Sequence, residues 1–114
     1  MIFVSIFSLW LIGRFLKEKE SSCGNIHQVF SNYLSYYYGN SFCYSLSQIR
    51  KMKQLYLYFP IFIECMNQIR WSSYLELLKL PSKECYFYYS LLLFCGDDLL
   101  ELKRLIYSDL YMRI

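Results

Sequence analysis

The sequence predicts an all-α fold, a single compact domain of about five to six helices, and three observations predict it. Apolar residues recur at i, i+3 and i+4 through successive segments, the spacing that lines one face of an α-helix. Capping side chains stand ahead of those segments: Asn25, Ser45, Ser72, Ser82 and Asp98. Gly39, Pro60, Pro81 and Gly96 stand where the apolar runs stop, as residues that terminate helices should. A chain of 114 residues has the length of one domain.

The first helix is expected over Ile2 to Lys19, apolar all round at first and amphipathic through RFLKEKE. Ser21 to Asn25 form a loop, and Asn25 caps a second helix with Ile26, Val29, Phe30, Tyr33, Leu34 and Tyr37 on one face. Gly39 ends it as the residue after the cap, where a left-handed backbone costs glycine little. GNSFCY connects it to the most strongly marked segment, SLSQIRKMKQLYLYFP, Ser45 to Pro60. There Ser45 and Gln48 have capping-box spacing, and Ile49, Met52, Leu55, Tyr56 and Phe59 form the apolar face. Pro60 closes the helix because it lacks an amide donor and restricts Phe59.

A loop or short helical turn follows from Ile61 to Arg70. Ser72 is placed as the cap of a helix carrying Trp71, Tyr74, Leu75, Leu77 and Leu78, and Ser82 as the cap of one carrying Cys85, Tyr86, Tyr89, Leu92 and Leu93. YFYYSLLLF is also rich in strand formers, but its length and flanking caps favour helix. Gly96 ends it. Asp98 and Glu101 then start a helix that runs to the C-terminus, with Leu99, Leu102, Leu105, Ile106 and Leu110 as its stripe.

Composition narrows the function. The chain is 56% hydrophobic and 21% aromatic, enough to fill a core and to leave apolar surface for a partner. A net charge of +3 is too small to imply nucleic acid, but its distribution is uneven. No Asp or Glu lies between Glu20 and Glu64, where the only Lys and Arg residues are Arg50, Lys51 and Lys53. From Glu64 onward seven acids face six bases. The five cysteines form no C-x-x-C pair and the only histidine is His27, so neither metal nor cofactor is expected. Free reduced thiols suit a cytoplasmic protein. MIFVSIFSLWLIG, ahead of Arg14, is shorter than the roughly 20 residues of a spanning helix and has no basic start. It reads as a buried helix, and a membrane partner is not expected.

Three motifs resemble the N-terminal domain of the YhcG family. LWLIGRFLKEKE, Leu9 to Glu20, is similar to that family's aromatic-x-Ile-Gly-Arg opening. Ser45 to Pro60 is similar to its Ser-x-x-x-Leu-x-x-Met-Arg-x-Phe-Tyr-x-x-Phe-Pro pattern. WSSYLELLK, Trp71 to Lys79, is similar to its Trp-Ser-His-Tyr segment, and Phe87, Tyr88, Gly96, Glu101, Leu102, Arg104 and Ile106 follow at family spacing. The match covers nearly the whole chain. It departs at Ser73, where the family has His, and at Gly96-Asp97-Asp98, where it has Gly-Trp-Ser. Leu100 and Lys53 replace family arginines, and Cys43-Tyr44 reads as an insertion.

The resemblance implies a helix-turn-helix-like module, residues 1–114, that normally precedes a PD-(D/E)XK nuclease domain. Nothing in this chain resembles that nuclease core, and the module is expected to be shortened at both ends. The implied function is non-catalytic: a DNA-binding or targeting domain, with no small-molecule substrate. Arg50, Lys51 and Lys53 are the candidate phosphate contacts. Ser47, Gln48 and Gln54 are placed on the same exposed face, where they could reach phosphates or base edges, and Tyr44 with Lys103 or Arg104 would flank it. A solvated charged face is the plainer reading of the same cluster. The alternatives are a protein-interaction or oligomerisation module, with a nuclease domain or a second copy as partner, and a decayed fragment with no activity of its own. Catalysis is not expected, because His27 has no Cys or Ser partner in sequence and Asp97, Asp98 and Glu101 read as a helix cap.

Overall fold

The computed structural model describes residues 5–20, 24–38 and 45–113. Every regular element among them is helical, as the apolar spacing requires. Backbone contacts group the chain into two units, Met1–Phe62 and Ile63–Ile114. Each is described by itself.

The first unit contains α1 (Ile6–Lys19), α2 (Ile26–Tyr38) and α3 (Leu46–Tyr58). Ser5 caps α1, its Oγ accepting from the Ser8 amide at 3.2 Å, so the helix starts later than Ile2. The core joins Ile6, Leu9, Trp10 and Leu16 of α1 to Ile49, Met52 and Leu55 of α3. α1 meets α3 at Gly13. A Cβ there would lie 2.1 Å from the Met52 carbonyl oxygen, so only glycine permits this approach. The Trp10 indole donates to the Phe59 carbonyl at 2.6 Å, satisfying a group at the α3 C-terminus. Phe59 leaves the helical region (φ −124°, ψ 74°), as a residue before proline should.

α2 fits its expected stripe only in part. Leu34 and Ser31 are buried, whereas Val29 and Tyr33 are more than half exposed. The Gly39 terminator, the GNSFCY connection and Ile2 to Val4 lie outside the described residues.

The second unit contains a 3₁₀ turn (Glu64–Gln68), α4 (Trp71–Leu77), α5 (Ser82–Cys95), α6 (Leu99–Tyr107) and α7 (Leu110–Arg113). Its core is Met66, Ile69, Tyr74, Leu77, Leu78, Cys85, Tyr88, Leu92 and Leu102. Tyr88 takes the place expected for Tyr86, which is exposed. Neither Ser72 nor Ser82 is a cap: α4 starts after Arg70 and α5 after Pro81, two residues and one residue earlier than the serine caps would set. Proline presets φ and offers an extended residue from which a helix can begin. Asp98 caps α6, accepting from the Glu101 amide at 3.2 Å. Gly96 ends α5 at φ 95°, a backbone strained for any other residue. The last helix does not run on unbroken, because Asp109 takes φ 61° and separates α6 from α7.

Candidate nucleic-acid interface

The orientation of α3 decides which polar residues reach solvent. Gln48, Met52, Leu55 and Phe59 follow i, i+4, i+7, i+11 and share the buried side. Gln48 is therefore only 6% exposed, a correction to its expected place on the outer face. Its backbone amide does bond to Ser45 Oγ, at 3.2 Å, as the capping spacing predicts. The opposite stripe is Ser47, Arg50, Gln54 and Leu57. Ser47, Arg50 and Leu57 are exposed and Gln54 is half-buried.

The three cations differ. Arg50 is exposed and has no acidic partner among the described residues. Half-buried Lys51 donates to Gln54 Oε1 at 3.4 Å. Lys53 is half-buried and paired with the Glu20 carboxylate. Lys17 reaches the same carboxylate at 2.7 Å. Hydrogen bonds from Lys17 and Lys53 bring the Glu20 carboxyl down to about 2, so the group stays charged and holds both lysines. Lys53 is thus less available to an outside phosphate than Arg50. Arg14 pairs with Glu18 along α1, one turn apart.

A polar concavity of about 340 Å³ adjoins Arg50, lined also by Gly24, Asn25, His27 and Gln28 from the start of α2 and by Leu46 from α3. Sequence spacing treats His27 as isolated. Partial burial lowers its pKa first, and nearby Lys53 and Arg50 lower it further, while Glu20 opposes them. The acid-free stretch from residue 21 to residue 63 was the signal that these side chains share one electrostatic setting. Across residues 1–62, six basic residues face two acids, a net +4.

Tyr44, a proposed flank, lies outside the described residues. Lys103 and Arg104 belong to the second unit, where Arg104 is tied to Glu101 with its Nε at 2.9 Å from Oε2. In that unit Asp97 accepts from Ser73 Oγ at 2.5 Å, the Arg70 amide at 2.8 Å and Arg70 Nε at 3.1 Å. Burial disfavours its charge, but these donors outweigh burial and hold its carboxyl below the usual range. This clamp fastens the α5–α6 turn to the start of α4. A separate apolar hollow of about 260 Å³ lies between α5 and α6–α7, lined by Tyr88, Leu92, Leu102, Leu105 and Leu110. Burial pushes the Cys85 thiol up to about 12, which makes it an inert core group.

Among the described residues no group of three His, Cys, Asp or Glu side chains could hold a metal ion. No helix among them is long and apolar enough to cross a membrane. Compared with known proteins, the chain matches no family model, no curated protein and no solved structure.

Proposed function

We propose that this chain is a non-catalytic helical module that contacts DNA through the outer stripe of α3, which serves as the second helix of a helix-turn-helix-like pair. The observation that carries the reading is Arg50: a guanidinium exposed on the face opposite Met52, with no acidic partner among the described residues. Arginine suits phosphate because its planar fork offers paired donors. Lys51 stands beside it and Lys53 plays a lesser part while Glu20 holds it. The YhcG resemblance supports the same reading and makes a nuclease-like domain the natural partner, in the cytoplasm, where Cys65, Cys85 and Cys95 remain free thiols.

Few contacts mean weak, salt-sensitive binding. Two neutralised phosphates give a slope of log K against log salt near about −2. Fluorescence anisotropy on a random-sequence duplex across a salt series measures it. Arg50→Gln and Lys51→Gln should each flatten the slope by about one. No binding at low salt, or a slope unchanged in both variants, refutes the reading.

A second reading, docking onto another protein or a second copy, draws on the second unit. Phe94, Leu100 and Tyr107 there are each more than 80% exposed. Light scattering after gel filtration tests it, and a monomer at high concentration removes self-association.

A further inference from the structure

The concavity between the first turns of α2 and α3 goes further than the outer stripe of α3. We propose that it is a phosphate-binding subsite in which the Arg50 guanidinium and the His27 imidazole together receive one phosphate group of a nucleic-acid backbone. The inference rests on the DNA-contact reading for the source of that phosphate, and on the cavity itself for its chemistry.

The cavity is lined mainly by polar side chains: Asn25, His27, Gln28 and Arg50. Its volume, about 340 Å³, is at the low end of the roughly 300–1,000 Å³ of small-ligand clefts. Arg50 reaches it with no acidic partner among the described residues, and no acid occurs between Glu20 and Glu64. Gln28 Nε2 is already committed to Asn32 Oδ1 at 2.9 Å, so it lines the wall rather than grips. The charged groups that act on His27 are Lys53 and Arg50 of α3 and Glu20 at the end of α1. Glu20 is already shared between Lys17 and Lys53. The local field is therefore that of an under-neutralised cationic pocket, in which an entering anion has no carboxylate to displace. The positive ends of two helix dipoles adjoin it and add to the same field, although the side chains carry the argument.

A bound phosphate reverses the balance at His27. Without an anion, burial and two cations disfavour the imidazolium. With one, the added negative charge favours it, and a second N–H donor becomes available on the ring. Protonation and phosphate binding should then reinforce each other.

His27 is the only histidine in the chain, so its ring resonances report on this site alone. The test follows the His27 midpoint by NMR in the full chain. Sulfate is the small-anion probe because its charge stays constant across the titration, with chloride at equal ionic strength as the control. Sulfate should raise the midpoint by about one unit above chloride, which corresponds to about tenfold tighter binding to the protonated ring. Arg50→Gln should abolish the difference, Arg50→Lys should retain part of it, and Lys83→Gln, at an exposed position in the second unit, should leave it intact. Equal midpoints in sulfate and chloride, or an undiminished response in Arg50→Gln, overturn the subsite.

A short duplex provides the second arm. If it moves the His27 midpoint as sulfate does, the phosphate is that of a nucleic-acid backbone. If the duplex binds by anisotropy yet leaves His27 untouched, the subsite is refuted as a nucleic-acid contact while the α3 reading stands. If sulfate acts on His27 and no duplex binds, the pocket is a phosphate site and the DNA reading fails.

Discussion

Replacing Gly13 by alanine tests the contact on which α3 depends. The new Cβ would lie 2.1 Å from the Met52 carbonyl oxygen and 2.7 Å from its carbonyl carbon, both well inside the 3.4 Å at which ordinary contact begins. Both obstructing atoms are backbone, so no side-chain rotation relieves the clash and α1 must move away from α3. Overpacking of this kind costs about 1–3 kcal/mol. Alanine in a helix interior regains about 0.5–1 kcal/mol over glycine. Because the obstruction is rigid, the upper part of the range applies, and the net loss should be about 2 kcal/mol. At roughly 4 °C per kcal/mol, melting should fall by about 8 °C. Urea unfolding followed through Trp10 fluorescence in a Trp71→Phe background reads the first unit. Gly24→Ala is the control, since nothing lies within 4 Å of its added Cβ; it should stay within about 0.5 kcal/mol. Met52→Ala should not rescue Gly13→Ala, because the obstructing oxygen remains. A Gly13→Ala protein as stable as the parent would refute the close approach.

Further substitutions probe the other constraints. Gly96→Ala has room for its Cβ but must hold φ 95°, so it should cost about 1–3 kcal/mol of backbone strain, seen as a lower urea midpoint. Trp10→Phe leaves the Phe59 carbonyl without the indole N–H and should cost about 1–3 kcal/mol. Asp97→Asn removes a carboxylate that is 9% exposed and weakens charge-assisted bonds worth roughly 1.5–3 kcal/mol. The Asp97 carboxyl is depressed in the folded state. Its contribution is therefore complete above the ordinary carboxylate range and fades as pH falls through the lowered value. The stability gap between parent and Asp97→Asn should shrink in strong acid, and a gap that widens there contradicts the clamp. His27 has the same proton preference, exerted at a higher pH. Its depressed pKa means that the unfolded chain binds the extra proton first. Parent stability relative to His27→Gln should therefore decline as pH drops below about 6.5.

Local signals were legible where local chemistry decides. Ser45 and Asp98 cap, Pro60 and Gly96 stop their helices, and the apolar stripe of α3 is buried, each for a reason contained within a few residues. Signals that depend on distant partners were not. Gly13 looks like an ordinary weak point in a helix until Met52 is placed against it. Ser72 has the better local cap spacing, yet Ser73 makes the structural bond, because Asp97 approaches from 24 residues away. Gln48 could have been placed correctly. It satisfies both the capping-box spacing and the buried i, i+4, i+7 stripe, and the two roles are compatible because its amide serves the cap while its side chain faces inward. The Asp109 break had no glycine or proline to mark it; aspartate tolerates the left-handed region better than most residues.

These constraints converge on the rotation of α3 about its own axis. The Gly13 approach fixes α3 at Met52, near the middle. Trp10 holds its end through the Phe59 carbonyl. Glu20 holds its flank through Lys53. A helix turns by 100° per residue, so Arg50, two positions before Met52, must point roughly opposite to the residue that meets α1. The same rotation buries Gln48, four positions before Met52, and so removes from the outer face one group expected there. A binding surface built on a helix held at three points is better defined than one on a loop. Loss of Glu20 or Trp10 should therefore weaken any contact made by Arg50 without touching the ligand, through loosened orientation rather than lost charge. Glu20→Gln separates the two effects. It removes a negative charge and frees Lys53, so simple electrostatics expects tighter binding to a phosphate backbone and a steeper salt slope. Binding that weakens instead, with an unchanged slope, would identify orientation of α3 as the controlling factor.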